Sequence, residues 1–433
     1  MARFLITTWH LPGHIYPQIA IAHALRARGH EVAIYTGPQA AKVVEGEGFK
    51  FFPFVKVDES YVDKVMLAPD RLSTKPTGGF AFAALLRNWM VETIPAQVED
   101  LEKILAEWKP DAITSDQTMW GPTFILGEQG RLPVAITSCG ACCMIPGPDA
   151  PPFGLGLRKP HNFITRLAAQ AVTVAQTFVT GSFRKRLNEI RAQYGLPAIH
   201  TTALGHLATV PLYIMPATPE FDYDRHDLPA SVKYVGPYLW NKPANIVSPD
   251  WLHTLSHARP WVHATEGTIH VGEPLVLRAT AQGLAGLEME VIMTSGGARD
   301  PESINLGASA PNLHLTRWIA HSDLLPKTDV IITTGGAGTV LAAIDAEVPM
   351  ILIPTEWDKP EIAQRIVEAE AGIRIMPDKV TPQSIRAAVE KILANPSYKR
   401  GVGRLKKAGA RYGGAAQAAE LLEQFAQRPS GAT

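Results

Sequence analysis

The chain has 433 residues, 46% of them hydrophobic and 19% charged, with Lys plus Arg and Asp plus Glu balanced at 41 each. That length suits two domains of about 200 residues rather than one core. The balanced charge gives no reason to expect nucleic acid or an anionic membrane as partner. No run of roughly 18 apolar residues occurs, so no integral membrane span is expected. The apolar run after Met1 is too short for a signal-peptide core, and a cytoplasmic protein is expected.

In chain order, Phe4 to Thr8 reads as a buried strand, Leu11-Pro12-Gly13 as a turn, and Pro17 as part of the first turn of a helix ending at Gly29. Glu31 to Thr36 is the next strand. Val98, Leu101, Leu105 and Trp108 recur at helical spacing, Lys109-Pro110 stops that helix, and Asp111 to Ser115 restarts a strand. Such alternation predicts a parallel sheet with right-handed crossovers. Cys139, Cys142 and Cys143 crowd together without a second cluster. They predict small buried residues rather than a disulfide framework or a zinc site.

From Cys142 to Ser182 the alternation breaks. Pro146 to Pro160 is rich in Pro and Gly, and Ile164 to Phe178 is an apolar helix. Such an insertion either shapes a ligand site or packs on its own domain. Prolines recur from Tyr213 to Pro243 as in an irregular linker. A second α/β series follows. Trp261 to Thr265, Met289 to Thr294, Val330 to Thr334, Met350 to Ile353 and Ile373 to Met376 read as strands, and Glu273 to Ala285 as a helix. Arg404 to Phe425 is a last helical stretch, interrupted near Tyr412-Gly413-Gly414. The expected division is 1–215 (with the insertion 142–182 near an acceptor), a linker 216–250, a second domain 251–403, and a tail 404–433 packing back toward the first domain.

The sharpest local signal is Val330-Ile331-Ile332-Thr333-Thr334-Gly335-Gly336-Ala337-Gly338-Thr339, a strand running into a glycine turn and then a helix. Glycines let the backbone approach an anion, and the first N–H groups of the helix point at it. Its spacing is neither the dinucleotide fingerprint nor a Walker loop, and on its own it is equally a tight packing turn. The next strand, Met350 to Ile353, leads into Pro354-Thr355-Glu356-Trp357-Asp358-Lys359-Pro360-Glu361. In a doubly wound sheet these two strand ends lie side by side where ligands bind. Asp358 there can accept from sugar hydroxyls, although Asp-x-x-Glu before a helix is also a capping pattern.

In the first half, His14 follows the first strand and Asp116 ends a later one. Both fall at carboxyl ends of parallel strands and face one crevice. A neutral imidazole can take a proton from an acceptor hydroxyl. A carboxylate on its other nitrogen fixes the tautomer and stabilises the imidazolium. His10, four residues earlier, is the rival and is read as a loop residue lining the cleft at most. Trp89, Met90, Met119, Trp120 and Phe153 come from the half expected to bind the acceptor, and each is a core or a pocket residue.

Together these residues resemble the family of bacterial macrolide and antibiotic glycosyltransferases, related to plant flavonoid glucosyltransferases. Gly13-His14-Ile15-Tyr16-Pro17 with Arg28-Gly29-His30-Glu31-Val32 looks like its opening motif, and Tyr234-Val235-Gly236-Pro237 like its interdomain marker. Trp318-Ile319-Ala320-His321 is similar to its base-binding segment. Gly335 to Thr339, Val348-Pro349, Pro354 and Trp357-Asp358-Lys359-Pro360 look like its donor signature. The resemblance runs through nearly the whole chain. It implies a GT-B fold, with two Rossmann-like, doubly wound parallel-sheet domains facing a cleft. It also implies inverting transfer from a nucleotide-sugar co-substrate to a small apolar acceptor, with no metal and no resident cofactor, in a monomer or homodimer.

By resemblance, His14 is the base and Asp116 its partner. Thr268, Thr334, Gly335, Gly336, Gly338 and Thr339 meet the diphosphate, Trp318, Ile319 and His321 the nucleobase, and Asp358 and Lys359 the sugar. Three positions depart from the pattern: Thr334 replaces a usual His, Lys359 a frequent Gln, and Ala342 a Glu that holds the ribose hydroxyls in many members. Losing that Glu relaxes reading of the 2′-hydroxyl, so a dTDP-deoxysugar donor is expected at least as readily as UDP-glucose. The alternatives are a non-catalytic homologue that binds a nucleotide or a partner, or another GT-B enzyme. A lipid-intermediate N-acetylglucosaminyltransferase should carry a glycine-rich first loop, which Thr8 to Pro12 lacks; a nucleotide-sugar epimerase is the other.

Overall fold

The computed structural model describes residues 1–66, 78–240, 247–268, 273–296 and 299–427. Pro243 and the tail from residue 428 lie outside the described residues. Two sheets carry the fold. The first contains β1 (Arg3–Thr7), β2 (Glu31–Thr36), β3 (Lys50–Pro53), β4 (Ala112–Asp116), β5 (Val134–Thr137), β6 (Tyr213–Met215) and β7 (Val232–Tyr234). They are ordered β3-β2-β1-β4-β5-β6-β7, and every pairing is parallel. The second contains β8 (Trp261–Thr265), β9 (Glu290–Thr294), β10 (Leu313–Thr316), β11 (Val330–Thr333), β12 (Met350–Leu352) and β13 (Gly372–Arg374), ordered β10-β9-β8-β11-β12-β13 and again parallel.

Helices cover both faces, so the central strands lose their exposure on both sides, as in β1 from Phe4 to Thr7 and all of β11. The strand order reverses between β1 and β4 in one sheet and between β8 and β11 in the other. Those two reversals open the crevices where an α/β sheet binds its ligands.

The helix after β1 starts earlier than the sequence suggests. It spans Pro12–Ala27, with Pro12 in its opening turn and Pro17 inside it. Pro12-Gly13 is therefore the first helical turn rather than a preceding one, and Pro17 leaves the Gly13 carbonyl without its helical donor. Five strands carry too little pattern to be read singly. β3 is four residues ending in proline, and β10 is a half-buried edge strand. β5, β6 and β7 are three or four residues each, and β7 joins the first sheet from within the proline-rich segment.

Near the end of the chain, helices Ser397–Gly409 and Gly414–Ala426 are separated by a break at Tyr412-Gly413. The second of them places Ala418, Ala419, Leu422 and Phe425 in one core with Ile15, Ile19 and Leu25 of Pro12–Ala27. Arg28 and Glu423 pair at the rim of that contact.

Candidate active site

His14 lies in the first turn of Pro12–Ala27, just past the end of β1, and Asp116 is the last residue of β4. β1 and β4 are hydrogen-bonded neighbours. The two residues therefore meet despite being 102 positions apart, with His14 Nδ1 2.8 Å from Asp116 Oδ2. Asp116 is fully buried, and its other oxygen accepts from the Thr118 backbone N–H at 2.8 Å and the Thr118 hydroxyl at 2.6 Å. Burial alone would raise its pKa, but the His14 charge and these hydrogen bonds hold it below the usual carboxylate value. An ionised carboxylate only accepts, so in the neutral imidazole Nδ1 carries the proton and Nε2 is the basic nitrogen. Burial opposes charging of His14, but the charge and hydrogen bond of Asp116, with the charge of Asp358, outweigh it and raise the histidine pKa.

On the facing domain, Gly335 follows β11 at φ +90° and Gly336 sits at the N-cap of helix Ala337–Asp345 in extended backbone. No side chain caps that helix, so its first N–H groups remain available to an anion. A side chain at Gly336 or Gly338 would meet nothing within 4 Å. Thr334 behaves differently from expectation, since its hydroxyl donates to the Glu266 carbonyl at 3.1 Å. Lys359 lies against the seat from the next strand end, with its Cβ 3.9 Å from a Cβ built on Gly335 and its Nζ donating to Thr355 Oγ1 at 3.0 Å.

Asp358 stands at the N-cap of helix Lys359–Glu368 but makes no side-chain cap bond. Its carboxylate reaches across to the first domain, 3.4 Å from a Cβ built on Gly140. Burial raises its pKa, partly offset by Lys359 and His14. Glu361, the other half of the capping pattern, instead accepts from the backbone N–H groups of Leu155 and Gly156. The capping reading of Asp358 therefore fails on its own geometry.

A cavity of about 260 Å³ joins the two halves. His14, Thr268, Thr334, Gly336, Gly338, Thr339, Trp318, His321, Asp358 and Lys359 all line it, as do Trp89, Met90 and Phe153. Asp116 lies just behind His14. Met119 and Trp120 do not line it, which corrects the sequence reading. Both are buried, with Trp120 against Phe124 and its indole N–H donating to the Gln117 carbonyl. Ile319 likewise turns inward, to a core with Leu252, Trp261 and Leu324, and Gly335 shapes the seat without lining the cavity. His10 is buried against Glu59, away from the cavity. Burial holds His321 neutral, with a pKa lowered to about 4.

Comparison with known proteins fits this geometry. Residues 278–423 match the family described as "Erythromycin biosynthesis protein CIII-like, C-terminal domain". The chain is 28% identical over 425 residues to a 4'-demethylrebeccamycin synthase from Lentzea aerocolonigenes, covering 98% of this chain and 99% of that one. It is 24% identical to a demethyllactenocin mycarosyltransferase from Streptomyces fradiae, covering 95% and 84%. The solved glycosyltransferase SsfS6 of Streptomyces sp. SF2575, complexed with thymidine diphosphate, superposes with a TM-score of 0.70 at 20% identity, covering 98% and 100%. The chain is a glycosyltransferase of GT-B fold, similar to the macrolide and antibiotic glycosyltransferases.

Within this glycosyltransferase, several cavity residues escaped sequence reasoning. Trp357 adopts φ +64°, a costly conformation for a bulky side chain that persists only where its surroundings impose it. Its ring meets Trp89 edge-on at 5.7 Å, and Trp89 in turn lies 6.2 Å from the His14 ring. Trp89 itself stands in a π-helical turn, Asn88–Glu92, a local widening that re-aims side chains. Tyr16 lies tilted against Trp240 at 4.9 Å and meets Trp318 edge-on across the cavity. The three cysteines are free and buried. Cys139 sits against His14, its Sγ 3.4 Å from the imidazole Nδ1. Tyr16 and Trp357 lie inside motifs named from the sequence, but their place in the cavity, like that of Cys139, is set by contacts between distant segments.

Proposed function

We propose that this glycosyltransferase transfers a sugar, with inversion, from a nucleoside diphosphate to a hydroxyl on an apolar natural product. The observation that carries this reading is the shared cavity, in which a carboxylate-anchored imidazole confronts an uncapped, glycine-lined helix N-terminus. His14 Nε2 takes the proton from the acceptor hydroxyl as its oxygen attacks the anomeric carbon. The carbon–oxygen bond to the diphosphate breaks on the opposite face, and its charge passes to the N–H groups at Gly338 and Thr339. Asp116 holds the imidazole and stabilises its charged form. Asp358 and Lys359 orient the sugar, and Trp318 and His321 meet the base.

The leaving group needs no metal in this scheme, because the helix dipole and backbone donors do that work. His14, Asp116 and Cys139 bring ligand atoms within 4.8 Å of one another, a spacing that could also hold a metal ion. Burial pushes the Cys139 thiol well above its usual range, which works against a thiolate ligand. Transfer is therefore expected to continue at an unchanged rate in excess chelator.

The donor reading favours dTDP-deoxysugars at least as much as UDP-glucose. Ala342 is buried in the core of the seat helix and offers no carboxylate to a ribose, and thymidine diphosphate is the nucleotide found with the solved relative. Calorimetry with dTDP and UDP tests this, and a strong UDP preference would refute it. Incubation with pooled nucleotide sugars and aglycones, followed by mass spectrometry and NMR of the anomeric proton, tests the whole reaction. The expected product gains a hexose or deoxyhexose of inverted configuration. Absence of any addition would favour a non-catalytic homologue.

A further inference from the structure

The charge balance of the whole chain hides a local excess. Residues 150–188 contain no Asp or Glu but six Lys or Arg: Arg158, Lys159, Arg166, Arg184, Lys185 and Arg186. Some of these are engaged within the protein. Arg186 pairs with Glu92 and Glu189, Lys159 donates to the Tyr223 carbonyl, and Arg184 donates to the His200 carbonyl. Arg158, Arg166 and Lys185 are exposed and have no ion pair among the described residues.

This segment also carries the helix Phe163–Val179, firmly started by a capping box at Asn162 and Thr165 yet without one buried residue. Its exposed face is apolar. Phe163, Ile164, Leu167, Val174 and Phe178 are among the most exposed large hydrophobics of the protein, with both phenylalanines about four-fifths exposed. Its half-buried residues are Thr165, Ala169, Val172, Thr173, Gln176, Thr177 and Val179, and Gln176 donates to the Phe153 carbonyl at 2.9 Å. Phe163, Leu167, Val174 and Phe178 recur at intervals of four, seven and four, one continuous stripe about 20 Å long. A globular surface helix normally faces its apolar stripe inward, and an exposed stripe of this size marks an interaction surface.

The charges select the occupant. A second copy laid on the same face would bring one acid-free, cationic segment against another, a like-charge contact that opposes pairing. An anionic lipid surface satisfies both features, with phenylalanine and aliphatic side chains below the headgroups and the cations at the phosphates. We propose that the helix Phe163–Val179 docks the glycosyltransferase peripherally on anionic lipid, lying in the interface rather than crossing it. The stripe is one helix long, and the described residues contain no helix able to span a bilayer.

Sedimentation of the full chain with phosphatidylcholine vesicles, with and without phosphatidylglycerol, tests the proposal. Binding is expected to the phosphatidylglycerol vesicles, to be reversed by salt, and to be far weaker on neutral ones. Phe163→Asp with Phe178→Asp should lower the partition at least about tenfold, at an unchanged circular dichroism spectrum and melting temperature. Arg158→Glu, Arg166→Glu and Lys185→Glu should each lower it by roughly fivefold or more. Two results would overturn the proposal. One is equal or absent binding to both vesicle types. The other is a dimer by light scattering that the paired phenylalanine substitutions convert to monomer, which would assign the stripe to a second copy.

Discussion

The two strand reversals that face each other across the cleft are built in opposite ways. At the first, between β1 and β4, the work falls to side chains: a buried carboxylate, held by two bonds from Thr118, fixes one imidazole to a single tautomer. At the second, between β8 and β11, the work falls to the backbone, where glycines and an uncapped helix leave N–H groups open. On the proposed mechanism, the contrast follows from what each crevice must hold. A proton transfer needs one atom at one position, whereas a diphosphate is a diffuse charge that several backbone donors can share. Changes at the first crevice should therefore act on rate, and changes at the second on donor affinity.

The largest effect of that contrast is expected at Asp116. Asp116→Asn keeps the shape but removes the charge that raises the His14 pKa, so turnover should fall about a hundredfold. The sign of the pH effect is fixed. His14 must be neutral to accept a proton, so kcat/KM falls below its pKa, and loss of the carboxylate moves that acid limb to lower pH. A lower rate with an unmoved limb would make Asp116 a structural residue only. Next comes Gly338→Ala. Space for the methyl exists, since nothing lies within 4 Å, but the group intrudes on the anion seat. The dTDP dissociation constant should rise about tenfold, roughly 1.4 kcal/mol, while the acid limb stays where it is.

Smaller effects fall on stability. Gly335→Ala has room, with its nearest neighbour at 3.5 Å, but must keep φ near +90°. That should cost about 1–2 kcal/mol in urea unfolding; an unchanged midpoint would show that the turn relaxes. The smallest concerns acid. His263 is buried with a pKa lowered to about 3 and His321 with one lowered to about 4. The unfolded chain takes up those protons near pH 6.5 and the folded one does not, so stability declines as pH falls below 6.5. His263→Leu should flatten that decline between pH 6.5 and 5, and an equally steep decline would remove His263 from the account.

The legible parts of the fold were those with long-range pattern. The strand, glycine turn and helix at Val330 to Thr339 could be read because a buried apolar run and a glycine cluster adjoin in sequence. His14 and Asp116 could be read because strand ends in a parallel sheet converge. The short edge elements β3 and β10 offered four residues each and no clean alternation. Met119 and Trp120 failed as pocket residues for a physical reason. Composition marks a side chain as apolar but does not tell which face of its turn meets the core. Trp357 was visible only as part of the donor signature; its left-handed backbone and its contact with Trp89 join segments that no local pattern relates.

The central claim is that one cavity separates proton removal from diphosphate capture. Its most direct test measures transfer rate and dTDP affinity together on His14→Ala. The rate should fall at least about a hundredfold while dTDP binds as tightly as to the native protein. A variant that still transfers sugar at the native rate, or that loses nucleotide binding in step with turnover, would contradict it.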